Sequence, residues 1–404
     1  MPTYYLSSTG DDANDGLSEL KPWQTLDKLS NFPMRPGDVF RLQGGATFAG
    51  FLRWFFRDLG DPANPITISS YGTGRPTVAS PKNIQGLLYA GLGGITVEGI
   101  NFAGDCSVFG TSGLRFAGTE EPVKNLRLLD LNVRGYSLGG IEIDRAIGVE
   151  IVGCRLHHNA NGTHLSGIDS LSILDTEVAD NDWPGGDPQT DVGGYGFAVY
   201  NSQNLHLERC RAVRNGLLTT LIGGHGGIIL QDCDHGVLVE CRAVGNGDPT
   251  DNDGHGVIFY GSKDCRAKQC VTSGNRIGYG LFADSFSRTV ERCVLCDCHS
   301  FGDVLVSMEI QGDVMDSTVC LNRIHDTGYK AFNVDNTDRP PNRGVRVWGN
   351  EFHSEELMLE AANGLEGVLE LEANRWLGAV PVFRVRGKDY SSIATVLAAE
   401  PLIP

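Results

Sequence analysis

Cys210-Arg-Ala-Val-Arg-Asn215, Cys241-Arg-Ala-Val-Gly-Asn246 and Cys270-Val-Thr-Ser-Gly-Asn275 repeat one frame, in which a small residue closes a short apolar strand and Asn follows five positions later. Cys154-Arg-Leu-His-His-Asn159 keeps the frame. Thr176 to Asn181 keeps it with Thr for Cys, and Cys293 to Cys298 keeps it with Cys for Asn. A second register accompanies the first: Gly194-Tyr-Gly-Phe-Ala-Val-Tyr200, Gly224-His-Gly-Gly-Ile-Ile-Leu230, Gly254-His-Gly-Val-Ile-Phe-Tyr260 and Gly278-Tyr-Gly-Leu-Phe-Ala-Asp284. Self-similarity at a period of about thirty residues marks a solenoid, whose equivalent positions stack into rows.

Outward from this core the pattern persists from about residue 94 to residue 375 without a linker-like break. Short β-branched strands alternate with Gly, Asn and Asp clusters, and 53 glycines serve the corners. Coils of twenty-two to thirty-four residues with about three strands each predict an all-β, single-domain right-handed parallel β-helix. Leu-x-x-Leu-x-Leu frames are missing, propeller blades would be longer, and the Asp of the calcium-binding nonapeptide roll is absent after Gly193-Gly-Tyr-Gly196. Residues 1–93 read as an N-terminal cap with the first coils, 94–375 as regular coils and 376–404 as a C-terminal cap. The entry cap is built on Tyr4-Tyr5-Leu6 and a helix around residues 22–31, because a solenoid end must be covered. The exit cap is a strand pair near Phe383 and a helix over 391–399 with Ser391 as N-cap and Ile393, Val396 and Leu397 turned inward.

Fifty acidic against 33 basic residues leave a net charge of −17, which argues against a nucleic-acid or anionic-membrane partner. No run of eighteen apolar residues predicts a membrane span. An extracellular or virion-associated location is the expectation, although the chain as given opens without the basic and apolar leader of a signal peptide. Eleven cysteines read as a stacked buried row in preference to a disulfide framework, and Cys293, Cys296 and Cys298 lack the companions of a zinc site.

Tyr4-Tyr5, the Asp/Asn/Gly turn over 10–16, Pro22-Trp23, Pro36-Gly-Asp38 and Asn64-Pro-Ile66 resemble the N-terminal frame of right-handed β-helix proteins of the pectin-lyase-like superfamily. Residues 374–399 are similar to the ending of the same group. The resemblance implies polysaccharide lyases, glycoside hydrolases or phage tailspikes, and fold alone does not choose among them. Gly254-His255-Gly256 resembles a motif of polygalacturonase-type hydrolases, and Gln189-Thr190-Asp191 resembles part of another, but no Asp-Asp pair and no Arg-Ile-Lys accompany them.

Aligned on the Gly-x-Gly register, Tyr195, His225, His255, Tyr279, Asp303 and Tyr329 stack on successive coils. Asp187, Asp191, Asp251 and Asp253 precede that row, beneath the longest insertions at 182–193, 216–223 and 247–253, where sites on a rigid scaffold usually lie. Glycoside hydrolysis needs two carboxyl groups. Asp191, Asp251 and Asp253 are therefore the acid/base candidates, with His225 and His255 as positioning or proton-tuning groups. Tyr195, Tyr279, Arg276, Asp303, Tyr329 and Lys330 would bind substrate. Hydrolysis needs no cofactor. The alternative is a lyase using Ca²⁺ on Asp187, Asp191, Asp251 and Asp253, with His225, His255, Tyr279, Arg276 or Lys330 as base or neutraliser. A non-catalytic tailspike or adhesin is the third reading. A polysaccharide or oligosaccharide is the expected partner, and a trimer is one assembly open to such a solenoid. Glu142, Asp144, Asp232 and Asp234 read as ordinary strand-face or turn residues.

Overall fold

The structure is a computed structural model that describes residues 2–404 except 56–60, 62, 108–109, 119–120, 183–192, 218–224, 248–253, 284–287, 336–340, 372, 379–381, 401 and 403–404. It is an all-β right-handed parallel β-helix. Its backbone divides into two compact units, Met1–Gly193 and Gly194–Pro404.

In the first unit each coil returns to the same three faces. Phe48, Val78, Phe102, Val133, Leu156 and Val178 form one inward row on the short strands and are at most 3% exposed. Leu52, Leu87, Leu114 and Ile141 form another on a second face. Removing each such side chain from water contributes roughly 1.5–3 kcal/mol. Period-two alternation in the sequence therefore becomes continuous apolar columns through the coil.

The entry cap is shorter than the spacing predicts. Its helix runs Leu26–Ser30, with the Thr25 hydroxyl accepting the Lys28 N–H at 3.1 Å. Pro22 and Trp23 do not join it, because the Trp23 N–H donates to the Tyr5 carbonyl as a β-bridge beside the strand Thr3–Leu6. The buried indole donates to the Asn14 carbonyl at 3.0 Å and stacks on Tyr4.

In the second unit the rows are set by buried polar ladders as well as apolar ones. Cys210, Cys241, Cys270 and Cys298 occupy one fully buried column that continues as Asn322, Asn350 and Asn374. Each of these asparagine carbonyls accepts the backbone N–H of the coil before it, from Cys298, Asn322 and Asn350 in turn, at 2.9–3.0 Å. A second ladder runs Asn215, Asn246, Asn275 and Asp303. Cys293 belongs instead to a third column with Cys265. The Cys293-to-Cys298 pair thus does not repeat the Cys-to-Asn frame; Cys298 aligns with Cys270, and Asp303 takes the place of Asn. Cys296 and Cys320, register partners on adjacent coils, form a disulfide, and the other nine cysteines are free thiols.

The exit cap is an antiparallel pair, Phe383–Val385 with Lys388–Tyr390, followed by the helix Ile393–Ala399. Its N-cap is Ser392, one residue later than the sequence suggests. The Ser392 hydroxyl accepts the Thr395 N–H and the Thr395 hydroxyl returns the favour to Ser392, a capping box. Val396 is buried beneath it. Among the described residues no helix is long and apolar enough to cross a membrane.

Candidate active site

The first strand of each coil in the second unit displays its outer face as three rows. The pairing fixes one as Tyr195, Gly226, His255, Ile277, Val306, Lys330 and Leu357. The expected stack is therefore partly out of register. Gly224-His225-Gly226 lies one residue out of frame with Gly194-Tyr195-Gly196, and Gly278-Tyr279-Gly280 lies two residues out of frame with Gly254-His255-Gly256; the coils use Gly196, Gly227, Gly256 and Gly278 as equivalents. At these positions a Cβ would strike the next coil's backbone, 2.7 Å from the Gly256 oxygen at Gly227 and 2.5 Å from the Gly278 oxygen at Gly256.

The consequences differ by residue. Tyr195, His255 and Lys330 share the outward row. His225 stands one residue upstream and is fully buried. Tyr279 lies in the inward row with Val257, Met308 and Phe332, is completely buried, and donates its hydroxyl proton to the His299 carbonyl at 3.0 Å. Burial pushes that phenol far above its usual range. Asp303 is also completely buried, as the last member of the asparagine ladder; its Oδ2 accepts from the Thr272 and Ser300 hydroxyls at 2.8 and 2.6 Å. Neither Tyr279 nor Asp303 faces a ligand. Arg276 is half-buried, and its backbone N–H donates to the Gly254 carbonyl. Asp187, Asp191, Asp251 and Asp253 lie outside the described residues.

The middle outward row runs Ala198, Ile229, Ile258, Gly280, Glu309, Asn333, Glu360 and Arg384. Its first members are apolar and its last four polar. The change places two carboxyl groups on one face, two coils apart, which corresponds to roughly 9–10 Å between their backbones. Asn333 stands between them and donates from Nδ2 to Glu309 Oε1 at 2.5 Å. The neighbouring Lys330 Nζ is ion-paired with Glu360 Oε2 and lies 5.6 Å over the Tyr329 ring. Arg384 is bound in a fork to Asp389 at 2.7 and 3.2 Å and also engages the Tyr329 hydroxyl.

The two carboxyl groups occupy unlike surroundings. Glu309 is 8% exposed, and burial raises its pKa; Asp335 pushes the same way, while the Asn333 amide and Lys330 pull against them. Glu360 sits at the wetter end of the row against a cation. Divergent environments for paired carboxyls are how a fold assigns acid and base roles.

The sequence carried a signal for these residues that the Gly-x-Gly frame obscured. Met308-Glu309-Ile310, Phe332-Asn333-Val334, Leu359-Glu360-Ala361 and Phe383-Arg384-Val385 each set one polar residue between two buried apolar ones. Four consecutive coils with that pattern predict a polar row on an otherwise apolar face.

A smaller polar patch lies on the first unit. Arg115, Glu142 and His164 are register partners on three coils. Glu142 is buried, not solvated as expected; it accepts the Ser112 hydroxyl at 2.6 Å, with Arg115 3.6 Å away. Burial lowers the His164 pKa although Glu142 and Asp144 oppose it. Asp144 is exposed. Asp232 and Asp234 are both bridged by Arg288. No group of three or more His, Cys, Asp or Glu suited to a metal occurs among the described residues.

The family described as right-handed beta helix region matches residues 85–302, more than half of the chain. A lacto-N-biosidase of Bifidobacterium longum subsp. longum is 42% identical over 84 residues, 19% of this chain and 5% of that protein. The chain thus spans a small fraction of that relative's length. Among solved structures, a GH136 lacto-N-biosidase from Eubacterium ramulus superposes with a TM-score of 0.61 at 15% identity, over 86% of this chain and 67% of that one. A mannuronic-acid-specific polysaccharide family 6 lyase from human gut microbiota superposes at 0.53 and 12% identity, over 94% and 91%. At these identities the two structures support the architecture alone.

Proposed function

This chain belongs to the right-handed β-helix family, within the pectin-lyase-like superfamily, and on that premise we propose that it is a carbohydrate-active enzyme hydrolysing glycosidic bonds of a polysaccharide or oligosaccharide. The observation that carries the reading is the outward row Glu309–Asn333–Glu360. Glu309, kept toward its protonated form by burial, donates a proton to the glycosidic oxygen as the bond to the anomeric carbon breaks. Glu360 takes a proton from the water that attacks the opposite face of that carbon. Carboxyl groups about 6.5–9.5 Å apart leave room for such a water and invert the anomeric centre. Two rungs of backbone, with the side chains leaning together, fit that separation.

Charge balance favours hydrolysis over β-elimination. A lyase must neutralise a uronate carboxylate, yet both nearby cations are already committed, Lys330 to Glu360 and Arg384 to Asp389. A neutral glycan is the better match. The 42% identity to part of a lacto-N-biosidase supports a glycan substrate without identifying it. The acid–base pair needs no metal, so a chelator should leave hydrolysis unchanged.

The test is a glycan panel assayed with wild type, Glu309→Gln, Glu360→Gln and Asp251→Asn. Loss of about a hundredfold or more in either Glu variant, with Asp251→Asn retained, supports the row. Intact Glu variants with loss in Asp251→Asn move the chemistry to the 182–253 loops. Ultraviolet absorbance from an unsaturated uronate product would replace hydrolysis with elimination.

A further inference from the structure

Immediately before Glu309 in its row stands Gly280, the one position there without a side chain. The space is filled by Phe282 from the same strand, Ile277–Phe282. A Cβ built on Gly280 would meet Cε1 and Cζ of the Phe282 ring at 2.8 Å. The ring is 6% exposed although it points to the outer face. It is held edge-on against His255 at 5.2 Å between centroids, within an apolar cluster of Ile258, Ile277 and Val306. Val306 lies on the strand that carries Glu309, three residues earlier. The outer face thus has its own small hydrophobic cluster, and it ends where the carboxyl row begins.

We propose that Phe282 is a positioning residue for Glu309. Its ring, seated where a side chain at Gly280 would otherwise stand, keeps water from the Glu309 carboxyl on the side of the preceding coil, so that the group serves as an acid. This rests on the acid role proposed above for Glu309.

The other neighbours explain why an apolar wall is needed. From the following coil, the strand Lys330–Asp335 brings the Asn333 amide and Lys330, which both favour the carboxylate, and Asp335, which opposes it. Beyond them is Glu360, ion-paired to Lys330. On its own strand Glu309 has Gln311. The preceding coil offers Gly280 and Phe282, with His255 on the far side of the ring. An amide donor and an ammonium alone would make Glu309 a poor acid. Apolar packing against a carboxyl is the available counterweight.

The test follows the pH dependence of kcat and the titration of Glu309, the latter by carboxyl NMR on labelled full-length protein with Glu309→Gln for assignment. Phe282→Ala removes the wall. Gly280→Ala keeps the ring and displaces it, which covers the case in which Phe282→Ala fails to fold. In both, the Glu309 titration and the alkaline limb of kcat should move down by about one pH unit, because solvation favours the carboxylate and depletes the acid. Phe282→Leu should fall between them and wild type. An unmoved titration in Gly280→Ala and in folded Phe282→Ala, whatever their stability, overturns the proposal and leaves Phe282 as packing alone. If the NMR titration moves while Glu309→Gln retains full activity, the wall stands and the catalytic reading fails.

Discussion

Asn275 commits two donors to one oxygen of Asp303: its backbone N–H reaches Oδ1 at 2.8 Å and its side-chain amide reaches the same atom at 3.0 Å. On the preceding coils the acceptor in this relationship is an asparagine carbonyl, as Asn246 and Asn275 are to Asn215 and Asn246. The ladder therefore ends in a carboxylate completely shut off from solvent. Burial outweighs four hydrogen-bond donors and pushes Asp303 up to about 6.

A raised carboxyl pKa has a definite sign. The protonated form is favoured in the fold, so this contribution to stability is complete below the unfolded value and is lost as pH rises through about 6. Relative to acid pH the rise removes about 3 kcal/mol of stability at neutral pH. Asp303→Asn should restore the ladder without the charge. Its urea midpoint should match wild type near pH 4 and exceed it above pH 7, by an amount equivalent to about 1–3 kcal/mol. The Thr272 and Ser300 hydroxyls can turn to accept from the new amide. A variant weaker than wild type at pH 8 would show that the carboxylate is structurally required.

Within the same ladder, Asn275→Ala should be among the costliest polar truncations. The side chain gives one bond to the Ala243 carbonyl at 2.9 Å and accepts from both the backbone and side chain of Asn246. Its loss leaves those groups buried without partners, at a cost of about 2–4 kcal/mol in denaturant titration. A loss below about 0.5 kcal/mol would mean that water or a neighbour replaces the amide.

The buried thiols should be chemically silent. Burial pushes Cys154 and Cys233 up to about 12. Cys241 and Cys298, held lower by hydrogen bonds from Cys210 and Cys270, are silent because they are fully buried. Of the nine free cysteines only Cys106 is partly accessible. A disulfide-exchange reagent should modify one thiol quickly in the native protein and nine after unfolding without reductant. Fast modification of three or more native thiols would contradict the packing.

Architecture was legible because it is periodic: a side chain that recurs once per coil is reported many times over, and Cys210, Cys241 and Cys270 needed no structure to be aligned. The site was less so. Its register hung on which glycine of each coil is equivalent: the extra glycine in Gly224-His-Gly-Gly227 leaves His225 one residue upstream of the row, and Gly278-Tyr-Gly280 stands two residues beyond the place of Gly254-His-Gly256. Tyr279 therefore pairs with Val257 in the inward row instead of with His255, and Asp303 closes the buried asparagine ladder. Glu309 and Glu360 carry no local motif; they become a pair only when strands fifty-one residues apart are stacked. Nor does a sequence show that a carboxyl is desolvated, since that depends on Phe282 leaning over Gly280 of its own strand, on the coil before Glu309.

The glycine row that sets the register also yields the sharpest stability contrast. Gly256 faces the carbonyl of Gly278 on the next coil, and an added methyl would sit 2.5 Å from that oxygen and 2.7 Å from the Thr272 methyl. Backbone held in a parallel sheet cannot retreat without breaking its own ladder, so Gly256→Ala should cost about 2–4 kcal/mol. Gly153, at φ +64, is the opposite case: nothing lies within 4 Å of an added Cβ, and only the left-handed backbone resists. Gly153→Ala should cost about 1 kcal/mol. Thermal or urea unfolding of the two variants checks the order. If Gly153→Ala were the weaker protein, backbone conformation rather than coil-to-coil contact would govern these corners, and the alignment through Gly256 would lose its physical basis.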